Sequence, residues 1–150
     1  MQVNTDTFDR IDEMIHEGLG NGERAAIRRG TIGEPFWRTL AYAGLEDIDD
    51  QHVGRWQLLF QLVEKTGHAD IELGAALRRA EISQRRVDRM LDARPEQLED
   101  LLPRIASQLE SANQPVDWTG AYFLLRDSDQ TRIRIARHFY LTEPEDLTEA

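Results

Sequence analysis

Residues 115–140 read PVDWTGAYFLLRDSDQTRIRIARHFY and outline two consecutive helices. Asp117 precedes one apolar run and Ser128 precedes the next, and both side chains are of the type that caps a helix N-terminus. The second run carries arginines and aromatic residues together. This stretch therefore predicts a helix, a capped turn and a second helix, with Trp118 anchoring the first of the two.

The same helical period extends over the rest of the chain. Phe8, Ile11, Ile15 and Leu19 recur at three- and four-residue intervals and form one apolar stripe. Further helices are predicted to begin near residues 21, 34, 49, 71, 83 and 95. Pro103 lies inside the last of these, where it has no N–H to donate, so we expect a kink or a break there. The pattern predicts an all-α bundle of about eight or nine helices.

One helical domain is expected over residues 1–141, followed by an acidic tail over residues 142–150. An alternative division has an N-terminal lobe at 1–111 and a C-terminal lobe at 115–141, with a seam in the turn between them. Pro144 is expected to end the last helix. No segment approaches the roughly 20 apolar residues of a membrane span, and the first residues lack the regions of a signal peptide. We therefore expect a soluble cytoplasmic protein with no membrane partner.

Catalytic and metal-binding chemistry has little support in the sequence. The absence of cysteine excludes disulfides, thiolate nucleophiles and cysteine-bound zinc. The histidines, at positions 16, 52, 68 and 138, lack the spacing that brings two imidazoles to one metal. We expect no enzymatic activity and no cofactor. An all-helical hydrolase or metalloenzyme would need acids and histidines that only folding brings together.

Charge is distributed unevenly along the chain. The net charge is -10, but residues 1–17 and 141–150 carry most of it, whereas residues 78–94 hold six arginines and three acids. Seventeen of the eighteen cationic side chains are arginine, whose planar fork suits bidentate contacts to phosphate. Arginine-biased codon usage is the alternative explanation of that preference. The distribution predicts a basic zone on an acidic protein.

Helix geometry separates the arginines from the packing residues. At about 100° per residue, Arg85, Arg86 and Arg89 share one arc, and the apolar residues of the same helix occupy another. Salt bridges to neighbouring acids are the alternative use of this face. In the last helix, Arg132 falls among apolar positions and is expected to meet an internal acid or a partner subunit.

The aromatic residues are assigned to the core. Trp37, Trp56 and Trp118 are the tryptophan candidates. Phe139 and Tyr140 stand at helical spacing beside isoleucines, so packing is favoured over the alternative of stacking on nucleic-acid bases.

Three blocks together resemble the CasB family, the small subunit of the type I-E CRISPR surveillance complex Cascade. The blocks are NGERAAIRR at 21–29, LGAAL at 73–77 followed by ISQRR at 82–86, and the stretch at 115–140. The resemblance implies a non-catalytic subunit that lies as a pair along the assembly. Its implied partners are the other Cascade subunits, a second copy of itself, guide RNA and single-stranded DNA.

Gln84-Arg85-Arg86 matches a basic pair of the family, so the resemblance favours nucleic-acid contact over salt bridging for the arginines there. The resemblance also makes Arg29 a candidate phosphate contact. The candidate nucleic-acid-binding residues are Arg28, Arg29, Arg78, Arg79, Arg85, Arg86, Arg89, Arg134 and Arg137. A pI of 4.8 departs from what autonomous nucleic-acid binding requires, so we expect weak, salt-sensitive binding in isolation. The alternative function is a helical protein–protein adaptor without direct nucleic-acid contact.

Overall fold

Helices form nearly all of the regular structure between residues 2 and 142, the part of the chain that the computed structural model describes. The helices are α1 (Thr5–Glu13), α2 (Asn21–Arg29), α3 (Glu34–Tyr42), α4 (Val53–Thr66), α5 (Leu73–Arg79), α6 (Gln84–Asp92), α7 (Pro95–Ser111), α8 (Thr119–Leu125) and α9 (Asp129–Leu141). A π-helical turn at Met14–Gly18 follows α1, and a 3-10 turn at Asp50–His52 precedes α4. Residues 2–142 contain no strand beyond one isolated bridge, so the all-α prediction is confirmed.

Polar side chains set where several helices begin. Ser83 Oγ accepts from the Arg86 N–H at 3.3 Å, and Ser128 Oγ accepts from the Thr131 N–H at 3.2 Å, as predicted. Asp117 acts one residue earlier than a standard cap, since its Oδ1 accepts from the N–H of Thr119 at 2.9 Å. These caps fix the starts of α6, α9 and α8.

Two helix predictions differ from the structure. Asn21 was expected to cap α2 but is its first residue, and the N-cap is Gly20, whose N–H donates to Glu23 at 2.9 Å. Pro103 does not break α7, which remains one α-helix from Pro95 to Ser111. The proline removes a single N–H donor, and the packed residues on either side, Leu102 and Ile105, hold both halves against the core. Pro144 lies outside the described residues.

The core forms around α4, which packs against α1, α2, α7 and α8. Trp56, Leu59 and Phe60 of this helix are almost fully buried. The stripe predicted for the first helix is buried as well, from Phe8 to Leu19. Buried side chains from Val3 to Phe139 belong to one hydrophobic cluster. The division into lobes 1–111 and 115–141 stays a prediction.

The tryptophan predictions hold for two of three positions. Trp56 and Trp118 are buried, and Trp118 also donates from Nε1 to Thr66 Oγ1 at 2.8 Å. Trp37 is 48% exposed, so its assignment to the core was wrong. α3 turns Phe36 inward, and Trp37, the next residue, lies edge-on against that ring with the centroids 5.1 Å apart. One ring therefore fills the core and the other partly covers it.

The last helix buries less than its apolar composition predicts. Ile135 and Phe139 face α5 and are buried, whereas Ile133 and Tyr140 are 60% and 46% exposed. The core assignment of Tyr140 was therefore wrong. α5 is a short helix and covers only the side of α9 that carries Ile135 and Phe139, which are four residues apart. The opposite side of α9 remains open.

Arg132 meets internal partners, as predicted. Its guanidinium lies 2.5 Å from Asp127 and 3.0 Å from Asp129, and it also donates to the carbonyl oxygens of Leu91 and Ala93. The hydrogen bond with Asp127 raises the pKa of Arg132 above its ordinary value. This side chain ties the end of α6 to the turn between α8 and α9.

Candidate nucleic-acid interface

α6 presents three arginines on its outer face. Arg85, Arg86 and Arg89 are exposed, while Val87 and Met90 on the opposite face are completely buried. Within residues 2–142, no carboxylate lies within salt-bridge distance of these three guanidinium groups. Their charges therefore face solvent without an internal counter-ion from the described residues.

A groove between α6 and α7 collects part of this charge. The groove has a volume of about 150 Å³ and is lined by Arg86, Arg89, Leu101, Arg104, Ile105 and Gln108; we call it the α6–α7 groove. Its floor is apolar and its rim carries three guanidinium groups. A neighbouring hollow shares Arg89 and Arg104 but also contains Asp92 and Asp100. The α6–α7 groove itself is lined by no carboxylate of the described residues.

Arg104 is the residue that sequence reasoning missed. It is exposed, lines the α6–α7 groove, and has no acidic partner in the described range. The available signal was its spacing from Leu101 and Gln108, because positions three and four apart share one face of a helix. The spacing alone does not show that α6 packs beside this face of α7 and forms a groove with it.

Arg78 and Arg79 lie at the end of α5, just before α6. Arg78 is exposed, with its guanidinium carbon 5.9 Å from the centroid of the Phe139 ring. Arg79 is half-buried, and its Nε atom has no hydrogen-bond partner in the described structure. No carboxylate of residues 2–142 forms a salt bridge with either one. Arg78 therefore carries a positive charge toward the junction of α5, α6 and α9.

Arg28 and Arg29 form a separate basic pair on α2, which packs against α3 and α4. Arg28 donates from Nε and Nη2 to the same oxygen of Glu64, at 3.0 and 2.8 Å, and Glu64 is buried on α4. This contact raises the pKa of the Arg28 guanidinium above its ordinary value. Arg29 is exposed and has no salt bridge among the described residues. Only Arg29 of this pair keeps its whole charge for an outside ligand.

Arg134 and Arg137 lie on α9. Arg134 binds both carboxylate oxygens of Glu72, through Nε at 2.8 Å and through Nη2. It also lines a cavity of about 160 Å³ that contains Asp117, so its local charge is balanced. Arg137 is exposed and makes no salt bridge within the described part of the chain.

Three histidines lie beside carboxylates: His16 beside Asp12, His68 beside Asp9 and His138 beside Glu72. His68 is the most buried histidine side chain, with Nε2 3.0 Å from Asp9 Oδ1 and its ring stacked on Phe8. Among residues 2–142 no three metal-ligating side chains come together, and no helix is long and apolar enough to cross a bilayer. The exposed guanidinium groups described above suit an anionic ligand.

A family model described as CRISPR-associated protein Cse2 matches residues 23–140. This range contains all of the arginines discussed above, the six complete helices α3 to α8, and all of α9 except its last residue. No curated protein and no solved structure matches the chain significantly.

Proposed function

The chain belongs to the CRISPR-associated protein Cse2 family, also called CasB, and on this basis we propose that it is a non-catalytic small subunit of a type I-E Cascade complex. In this role it stabilises guide RNA, target and the displaced DNA strand through sequence-independent backbone contacts. Its partners are the other Cascade subunits, a second copy of itself, and the two nucleic acids.

One observation supports the proposal above the others. Arg85, Arg86 and Arg89 face outward on α6 with no carboxylate of residues 2–142 within salt-bridge distance, and Arg104 adds a fourth cation across the groove. Phosphate oxygens are the ligands that this arrangement suits, because guanidinium forks bind them with two parallel hydrogen bonds.

Backbone contact is sufficient for a subunit of this kind. In RNA-guided complexes the guide selects the target by base pairing, and the protein recognises phosphates and shape. Contacts to phosphates fix position but carry no sequence information directly. A small cluster of arginines on a helical scaffold meets that requirement.

The acidity of the whole chain limits what it does alone. With a net charge of -10, the isolated protein is expected to bind single-stranded DNA weakly and with strong salt dependence. Neighbouring subunits would raise the effective concentration of nucleic acid at the arginines. Titration of single-stranded DNA at two salt concentrations tests the mechanism. An affinity independent of salt would refute phosphate neutralisation.

The second candidate function is the adaptor, in which the arginines contact only protein. Arg28 and Arg134 are consistent with the adaptor, because each already forms a salt bridge with a glutamate of this chain. Charge reversal of Arg85 and Arg86 together separates the two functions. Loss of DNA binding with intact Cascade assembly supports the proposal, whereas loss of assembly supports the adaptor.

A further inference from the structure

A second hollow lies where α5, α6 and α9 meet, apart from the α6–α7 groove. Its volume is about 440 Å³, and its lining includes Arg78, Glu81, Gln84, Phe139 and Tyr140. This size falls within the range of small-molecule sites in proteins. The hollow combines aromatic rings, a cation and hydrogen-bonding side chains, whereas the lining of the α6–α7 groove, among the described residues, has three arginines and no aromatic ring.

Tyr140 is an exposed aromatic ring held in place. It is 46% exposed, and its Oη donates to Asp88 Oδ1 at 2.7 Å. This hydrogen bond raises the pKa of Tyr140, so the hydroxyl remains a donor at neutral pH. The Phe139 ring supports it edge-on, with the two centroids 5.0 Å apart. A ring fixed in this way loses little conformational entropy when a planar ligand stacks on it.

The hollow beside the Tyr140 ring is also lined by a cationic, an anionic and an amide side chain: Arg78, Glu81 and Gln84. The Arg78 guanidinium is positioned over Phe139, where it can meet an anion at the edge of the hollow. The Glu81 carboxylate only accepts hydrogen bonds, whereas the Gln84 amide both donates and accepts. Together these groups match a phosphate on one side and the polar edge of a heterocycle on the other.

We propose that this hollow binds one unpaired nucleotide of a single-stranded nucleic acid. The base stacks on Tyr140, Gln84 and Glu81 hydrogen-bond its exposed edge, and Arg78 contacts the adjoining phosphate. Stacking of bases on aromatic side chains is common in proteins that bind single strands. The site extends the proposed function, on which it rests, because it recognises a base as well as a backbone.

The test compares an ordinary single-stranded oligonucleotide with an abasic one of equal length, which has the same phosphates and no bases. The full chain should bind the ordinary DNA more tightly. Tyr140→Ala should weaken that binding by about fivefold or more, while affinity for the abasic strand stays unchanged. Tyr140→Phe keeps the ring and should retain most of the affinity. Circular dichroism checks that both variants are folded.

Each outcome distinguishes this site from the backbone contacts. If Tyr140→Ala affects the ordinary and the abasic strand equally, or affects neither, in DNA and in RNA alike, the nucleotide site is refuted, while retained binding of the abasic strand leaves the proposed function standing. If the unmodified chain binds neither strand, both proposals fail. The same comparison with RNA shows which nucleic acid the site prefers. A base-dependent effect of Tyr140 on either one supports the proposal, and its absence from both overturns it.

Discussion

Gly74 of α5 lies directly against the backbone of α9 at Ile135. A Cβ atom at position 74 would be 2.3 Å from the Ile135 carbonyl oxygen and 2.7 Å from the Cβ of His138. No side chain is small enough to enter this contact, so the missing Cβ allows the two helices to approach. The close approach also brings Arg78 over Phe139 and so shapes the hollow at the end of α5.

Gly74→Ala should therefore destabilise the protein. Backbone atoms of α9 must move to admit a methyl group, and overpacking of this kind costs about 1–3 kcal/mol. Urea denaturation measures the change in free energy of unfolding. Gly22→Ala is the matched control, because no atom lies within 4 Å of a Cβ built there, and it should stabilise α2 by up to about 1 kcal/mol. Equal effects of the two substitutions would contradict the close-packing interpretation.

Most of the fold was predictable because its signals are local. The stripe from Phe8 to Leu19 and the caps at Ser83 and Ser128 depend on residues within a few positions of one another. Trp37 and Tyr140 show the limit of such signals. Periodicity tells which side of a helix is apolar, but it does not tell how far the neighbouring helix extends to cover that side.

The candidate site was predictable in part for the same reason. The outward face of α6 follows from one helix, so Arg85, Arg86 and Arg89 were found from the sequence. Arg104 and the pairing of Arg28 with a buried carboxylate were not, because both depend on contacts between different helices. The sequence therefore identified the arginines, but it did not show which of them pair with a carboxylate in the folded protein.

Arg132→Lys should lower the free energy of unfolding by about 2 kcal/mol. The guanidinium of Arg132 donates in several directions at once, to two aspartates and two backbone carbonyls, and a single ammonium group does not reproduce that geometry. Arg134→Lys provides the control in the same helix. Arg134 is 66% exposed, so its pair with Glu72 should contribute less than about 1 kcal/mol. A larger loss for Arg134→Lys in thermal or urea unfolding would disprove this ranking.

His16 should contribute stability that depends on pH. Its Nδ1 lies 2.7 Å from Asp12 Oδ1 and its Nε2 lies 3.2 Å from the Glu64 carbonyl oxygen. Both partners accept hydrogen bonds, so the charged ring, with two N–H donors, is favoured. The hydrogen bond with Asp12 raises the pKa of His16 above 6.5 in the folded protein.

The direction of the effect follows from that shift. A raised folded-state pKa gives stabilisation that is complete below pH 6.5 and is lost as the pH rises through the folded pKa. Unfolding of the wild type and of His16→Gln should therefore differ most in mild acid and converge in alkaline solution. Asp12→Asn should reduce the difference at low pH. A gap that widens with increasing pH would show that the sign is wrong.

Arg86→Glu should separate folding from nucleic-acid binding. Arg86 is the third residue of α6, where a glutamate completes a Ser-x-x-Glu capping box with Ser83 and interacts favourably with the helix dipole. Stability should hold or rise by about 0.3–1 kcal/mol, while affinity for single-stranded DNA falls and the slope of log affinity against log salt decreases by about 1. Arg10→Glu on α1 makes the same change in net charge and should leave affinity nearly unaltered. Equal losses in both variants, measured by titration at two salt concentrations, would mean that binding responds to net charge and not to the arginines of α6.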